Sequence, residues 1–163
     1  DPLTGVANRR QFDERLSLAI ARGRHQPVAL ALLFLDIDHL KPINDRHGHA
    51  AGDQLIRSFA QRLKARVREG DLVARIGGDE FVVLSEHLEA SEAGRAAEEI
   101  ASQMIQAMTE PVQLGELALQ TGTSIGIAVA LSPPHPEPLI AAADHALYAA
   151  KAAGRNTWRR APP

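Results

Sequence analysis

A chain of 163 residues, 45% of them hydrophobic, is long enough for one core, since roughly 100–200 residues make a domain. The formal net charge of -2 offers no basic field for a nucleic acid polymer, and the lack of cysteine excludes a disulfide framework and a thiolate metal site, in keeping with a reducing cytoplasm. No apolar run approaches the roughly 20 residues that cross a bilayer, and no signal-peptide pattern opens the chain; residues 1–163 therefore read as one soluble domain, its abrupt start suggesting a cut from something longer.

From the N-terminus, Asn8 to about Arg22 has a helical pattern, with Phe12, Leu16, Ala19 and Ile20 on one face and Asn8 placed to cap it. Val28 to Asp36 is so continuously apolar that it reads as a central strand covered on both faces. A long helix is expected from about Ala50 to Arg68, on the spacing of Leu55, Ile56, Phe59, Leu63 and Val67. Leu72–Ile76 and Phe81–Leu84 read as strands joined across Gly77-Gly78. A second long helix should run from about Ser91 to Met108, ended by Pro111. Leu117 to Ala130 contains a strand interrupted near Gly122, Pro136 to Ala152 is a further helix, and Thr157-Trp158 closes the sheet as an edge strand. Helices alternating with mixed strands give an α/β sandwich, with helices packed on a central sheet.

Two acidic clusters stand out. Asp79 and Glu80 follow Gly77-Gly78 between two strands and so lie at a sheet rim, while Asp36 and Asp38 end the apolar strand and share one of its sides. Each has an ordinary structural explanation: Gly-Gly-Asp is common turn chemistry and a lone Asp commonly caps the next turn or helix. Together, on neighbouring strands, Asp36 and Asp79 could converge on a hard cation such as Mg²⁺, which takes one or two carboxylates and fills its remaining positions with water and phosphates. That combination predicts a nucleotide site.

These clusters belong to a longer series: Asp1-Pro2-Leu3-Thr4-Gly5, Asn8-Arg9-Arg10, Asp36-Ile37-Asp38-His39-Leu40-Lys41, Asn44-Asp45, Gly48-His49, Gly52-Asp53, Arg75-Ile76-Gly77-Gly78-Asp79-Glu80-Phe81, Ser124-Ile125-Gly126-Ile127-Ala128, Ala143-Asp144-His145-Ala146-Leu147-Tyr148, Ala150-Lys151 and Gly154-Arg155-Asn156. In this order and over nearly the whole chain, the series resembles the GGDEF family of diguanylate cyclases. The resemblance implies an α/β fold with a mixed, mainly antiparallel sheet flanked by helices, its ferredoxin-like core related to nucleotidyl cyclase catalytic domains. It implies condensation of two GTP into the second messenger cyclic di-GMP by a homodimer.

By the same resemblance, Asp36, the backbone carbonyl of Ile37 and Asp79 would hold Mg²⁺, for which Mn²⁺ can substitute, and Glu80 would help hold a second ion. Asp79 is also the family's candidate base for the 3′-hydroxyl, a role that metal coordination would weaken. Asn44 and Asp53 would bond the guanine edge with His49 nearby, which favours GTP because adenine would leave both mispaired. Lys41, Lys151 and Arg155 match phosphate contacts, although each taken singly is an ordinary surface cation. Arg68 and Asp71 match an inhibitory product site, set against the common reading of a surface pair or turn cap. His39 and His47 lack zinc spacing and read as surface residues, Trp158 as edge packing, and Arg75 as a brace of the hairpin through a nearby carboxylate.

Leu40 and His47 stand where the family often has aromatic residues, a difference that bears on packing beside guanine rather than on any ligand. Two other readings stay open: a regulatory module that binds GTP or cyclic di-GMP and controls a neighbouring domain, and a structural dimerisation domain, which leaves the acidic and guanine sets unexplained. The expected setting is a cytoplasmic domain with a sensory or membrane segment upstream, the full protein open to anchoring at the inner membrane.

Overall fold

Strand β1 (Ala29–Ile37) is buried along its whole length and organises everything around it. In the computed structural model, which describes residues 1–163 apart from the His87 side chain, β1 pairs antiparallel with β3 (Glu80–Leu88) on one side and β6 (Thr123–Leu131) on the other. β2 (Leu72–Arg75) extends the sheet beyond β3, and β7 (Trp158–Arg160) lies parallel to β6 at the far edge, giving the order β2-β3-β1-β6-β7. With β7 set aside, this is the strand order of a ferredoxin-like core, and the sheet is mixed and mainly antiparallel as expected.

Alternation along β1 assigns the helices to faces. Leu33, Leu35 and Ile37 turn to one side, where they pack with Leu55, Phe59 and Leu63 of α3 (His49–Lys64) and Ala97, Ala101 and Met104 of α4 (Ala93–Ala107). Leu30, Leu32 and Phe34 turn to the other, against Phe12 and Leu16 of α1 (Arg9–Gly23) and Ala143 and Leu147 of α5 (Pro136–Ala152). Asp36 has the parity of this second face. The tilted ring pair of Phe59 and Phe81, with centroids 4.9 Å apart, locks α3 onto the start of β3 beside Glu80.

Local chemistry explains most boundaries. Asn8 caps α1 by accepting from the Gln11 N–H at 2.9 Å, and Gln11 returns the bond to the Asn8 N–H. Pro136 suits the first turn of α5, where no amide donor is needed. α5 can lie close to the sheet only because residue 126 is glycine: a Cβ there would stand 2.2 Å from the Ala143 carbonyl oxygen and the Leu147 nitrogen.

Three expectations change. A short helix, α2 (Leu40–His47), precedes α3; it buries only Leu40 and so leaves little apolar periodicity to read. α3 ends at Lys64 rather than Arg68, because the chain tightens with Arg66 N–H bonding Leu63 O, and the Asp71 carboxylate captures the Arg68 N–H at 2.8 Å. The region from Leu117 to Ala130 holds two strands rather than one: β5 (Leu117–Leu119) pairs with β4 (Val112–Leu114) as a separate hairpin, and the break near Gly122 precedes β6.

Candidate functional site

The β1–β3 register sets Asp36 opposite Glu80, and the Ile37 N–H donates to the Asp79 carbonyl at 3.0 Å. Strand end and turn are thereby fastened together. Asp36, Asp79 and Glu80 can each place a carboxylate oxygen within 4.8 Å of the others. A strand residue's N–H and C=O point the same way, so the Ile37 carbonyl also faces the Asp79 turn. The turn itself is held by Arg75, whose guanidinium donates to the Gly78 carbonyl at 3.0 and 3.3 Å and pairs with Asp1 at 3.4 Å. Arg75 thus pairs with a carboxylate and braces the hairpin, the brace itself running through the Gly78 carbonyl.

Asp36 is only 3% exposed. Its Oδ2 pairs with the Lys151 ammonium and its Oδ1 has no partner. Burial pushes its pKa up from 3.8 to about 6; Lys151 opposes that rise, while the charges of Asp79 and Glu80 add to it. Burial by itself would lower the Lys151 pKa, but the bond and charge of Asp36, with Asp79 and Glu80 behind it, raise it overall. Three carboxylates against one ammonium, with a buried oxygen left orphaned, form a donor set that suits a hard divalent cation. The residues therefore fit Mg²⁺ chemistry.

The remaining candidates fall into separate groups. Asn44 on α2 is half-buried, and its Oδ1 is enclosed without a partner, lying where a Cβ on Gly52 would come within 1.7 Å. Asp53 is half-buried in the second turn of α3, and His49 is exposed at its start, so all three share the α2–α3 corner. Lys41 is exposed on α2 immediately after the acidic strand end. Arg155 is exposed in the loop after α5, in a left-handed conformation shared with Asn156; non-glycine residues in sparsely populated regions cost on the order of 1–3 kcal/mol each and cluster at functional sites. His39 is exposed and His47 half-buried, and neither joins the acidic group.

Arg68 and Asp71 lie in the turn before β2, at the opposite end of that strand from Gly77 and Gly78. The four residues of β2, roughly 13 Å of extended chain, lie between them and the acidic hairpin. The Asp71 side chain is 2% exposed and occupied by its own turn, 4.0 Å from the Arg68 guanidinium.

Two features were not read from the sequence. A cavity of about 370 Å³ opens beside Asp36 and Glu80, floored by Phe34, Ile76, Ile140 and Leu147 with Arg9, Glu137 and Asp144 around it; it combines residues from distant segments that no local spacing links. Asp38, grouped by alternation with Asp36, is instead wholly engaged by β6 and the loop after α5. Ser124, its buried partner, stood in the sequence only as the first residue of the Ser124–Ala128 motif, with no role attached.

Residues 1–157 match the family model described as the GGDEF domain of diguanylate cyclases. The diguanylate cyclase TpbB of Pseudomonas aeruginosa is 43% identical over 164 aligned residues, covering 99% of this chain and 37% of the relative. MucR of the same species, a bifunctional diguanylate cyclase and cyclic di-GMP phosphodiesterase, is 38% identical, covering 97% of this chain and 23% of its own length. The chain therefore spans well under half the length of these relatives. Among solved structures, a TpbB fragment comprising only its GGDEF domain superposes with a TM-score of 0.89 at 42% identity, covering 99% of this chain and 94% of that one. The coiled coil and GGDEF domain of DgcB from Caulobacter crescentus, in complex with cyclic di-GMP, gives 0.85 at 32% identity, covering 99% and 84%.

Proposed function

Because the chain belongs to the GGDEF family of diguanylate cyclases, we propose that residues 1–163 form a single catalytic domain that condenses two GTP into cyclic di-GMP and two pyrophosphates. In each half-reaction a 3′-oxygen bonds to the α-phosphorus of the other GTP, and the bond from that phosphorus to the bridging oxygen breaks. Pyrophosphate leaves, and the 3′-hydroxyl proton passes to a base, for which Asp79 is the candidate. The observation that carries this reading is the orphaned Oδ1 of Asp36 within the Asp36–Asp79–Glu80 group.

Mg²⁺, or Mn²⁺ in its place, bound by Asp36, the Ile37 carbonyl, Asp79 and Glu80, would neutralise the triphosphate and favour ionisation of the attacking hydroxyl. Lys151 exchanges Asp36 for a phosphate oxygen as nucleotide enters, and Lys41 and Arg155 add positive charge from α2 and the loop after α5. The enclosed amide oxygen of Asn44 calls for a donor, which guanine supplies at N1 or N2, and Asp53 accepts from the same edge. His49 stands beside this corner.

Cyclic di-GMP has two-fold symmetry, so a homodimer that turns equivalent sites toward each other supplies the geometry. Product binding at Arg68 and Asp71 would regulate it, and DgcB, crystallised with cyclic di-GMP, lends support to the ligand class. The greater length of TpbB and MucR shows that such domains occur within longer chains, and in this reading a sensory or membrane segment stands upstream of a cytoplasmic catalytic domain; among the described residues no helix is long and apolar enough to cross a membrane.

Incubation with GTP and Mg²⁺, followed by chromatography of the nucleotides, should yield cyclic di-GMP. Asp79→Ala should yield none while melting near the wild-type temperature, since Asp79 lies in a turn outside both cores. Product from Asp79→Ala at near wild-type rate would remove the metal-site assignment.

A further inference from the structure

Of the two carboxylates at the end of β1, one keeps an oxygen without a partner and the other has both oxygens committed. Asp36 leaves Oδ1 without a partner. Asp38, 3% exposed, has both oxygens occupied: Ser124 Oγ donates to Oδ1 at 2.7 Å, and the Asn156 N–H donates to Oδ2 at 2.9 Å. Its backbone is engaged as well, the N–H donating to the Gly122 carbonyl at 3.0 Å and the carbonyl accepting from Thr121 Oγ1 at 2.5 Å. At this depth a carboxylate needs such donors, because a buried charge without them is neutralised or expelled.

What Asp38 grips is unusual backbone. Gly154, Arg155 and Asn156 have φ of 111°, 65° and 49°, a run of left-handed residues in which glycine adopts that region freely and asparagine more readily than most, so that the cost falls on Arg155. Something has to hold Arg155 there. The structure offers two bonds, Arg155 N–H to the Ala150 carbonyl at 3.2 Å and Asn156 N–H to Asp38. The Asn156 side chain then packs on Gly122, where a Cβ would stand 2.4 Å from its Oδ1. Asp38, Gly122 and Asn156 form a joint between the end of β1, the start of β6 and the loop after α5, while Lys151, upstream of that loop, is anchored separately on Asp36.

We propose that Asp38 is a positioning residue rather than a cation ligand: by holding the Asn156 amide it fixes Arg155 in the backbone conformation from which that side chain serves the nucleotide phosphates. This rests on the cyclase reading, in which Arg155 contacts the triphosphate. A structural filler would leave nucleotide affinity and Arg155 uncoupled; a positioning residue would not.

The test combines amide exchange at Asn156, read by NMR on the full chain without nucleotide, with titrations of Mn²⁺ alone and of a non-hydrolysable GTP analogue with Mn²⁺. In Asp38→Ala the Asn156 amide should exchange at least about ten-fold faster and the analogue should bind about ten-fold more weakly, the scale of one lost hydrogen bond, with Mn²⁺ affinity within about two-fold of wild type. Adding Arg155→Ala should weaken the analogue no further than Arg155→Ala does alone. Asp38→Asn can still accept from Asn156 while donating to Ser124, and should restore both readouts. Should Asp38→Ala not fold, Asp38→Ser, too short to reach Asn156, carries the same comparison. Loss of Mn²⁺ binding matching that of Asp36→Ala would overturn the proposal by making Asp38 a ligand; so would unchanged Asn156 exchange, or losses that multiply in the double variant. A wild-type chain that binds Mn²⁺ but not the analogue would remove the cyclase reading and the phosphate role of Arg155 with it, while Asn156 exchange would still decide whether Asp38 holds the loop.

Discussion

In the proposed cyclase, Asp36 holds a metal at the expense of stability. Its pKa in the folded chain, about 6 against 3.8 for an unburied carboxylate, means that the folded state binds its proton more tightly than the unfolded state does. The associated stability is therefore complete below about pH 3.8 and is lost as pH rises through about 6. At pH 7 the shift amounts to roughly 3 kcal/mol. Asp36→Asn should accordingly melt several degrees above wild type at pH 7.5, with the gap much narrowed near pH 4.5, and added Mg²⁺ should raise the wild-type melt far more than the variant's. Parallel thermal scans at the two pH values check this, and a gap that widens on acidification would refute the burial argument. The acids were legible in the sequence because a strand that ends in carboxylates is chemically odd. The division of labour between Asp36 and Asp38 was not, since it depends on Ser124 and Asn156, residues 86 and 118 positions away from Asp38.

At the scale of elements, what the sequence disclosed follows how much apolar surface each element buries. α1 and α5 lay where the sequence put them, α5 with its expected bounds, because each presents a buried stripe to the same face of the sheet. α2 buries one residue and β4 none, so neither leaves a pattern, and α2 starts from His39 in a left-handed conformation that no local signal announces. The seat of α5 on the sheet is equally silent in a one-dimensional reading: it depends on Gly126 meeting backbone of α5 across the layer. Gly126→Ala should destabilise the fold by roughly 1–3 kcal/mol through overpacking, because the opposing atoms are backbone and cannot rotate away. It should also weaken nucleotide binding, since α5 carries Lys151 to Asp36. Chemical denaturation measures the first effect; a variant as stable as wild type would mean that α5 shifts as a rigid body at little cost.

For the whole molecule, the proposed reaction requires two copies and the regulation requires communication over a distance. If each chain presents one GTP, specific activity should rise with protein concentration until dimers saturate, and a flat dependence in a sample shown monomeric by sedimentation would contradict the two-site geometry. The proposed feedback would draw on a different part of the structure. The Arg68–Asp71 turn lies at the far end of β2 from the acidic turn, so product bound there need not compete with GTP. Asp71 is held by its own turn, which leaves the half-exposed Arg68 guanidinium as the reaching group, able to fork onto a guanine Hoogsteen edge or a phosphate. The turn is not isolated from the rest of the chain: Arg15 of α1 donates to the Gly70 carbonyl at 3.3 Å and to the buried Glu86 of β3 at 2.6 Å, tying the turn to the strand whose first residue is Glu80. Product captured here by one chain and another surface would hold the two GTP sites apart, and by linkage the coupling should be mutual. Arg68→Ala should weaken cyclic di-GMP binding about ten-fold or more and relieve inhibition, while affinity for a non-hydrolysable GTP analogue stays within about two-fold. Calorimetric titration of cyclic di-GMP with that analogue occupying the active site separates the two surfaces; equal product affinities in wild type and variant would discard the inhibitory site and leave the catalytic assignment intact.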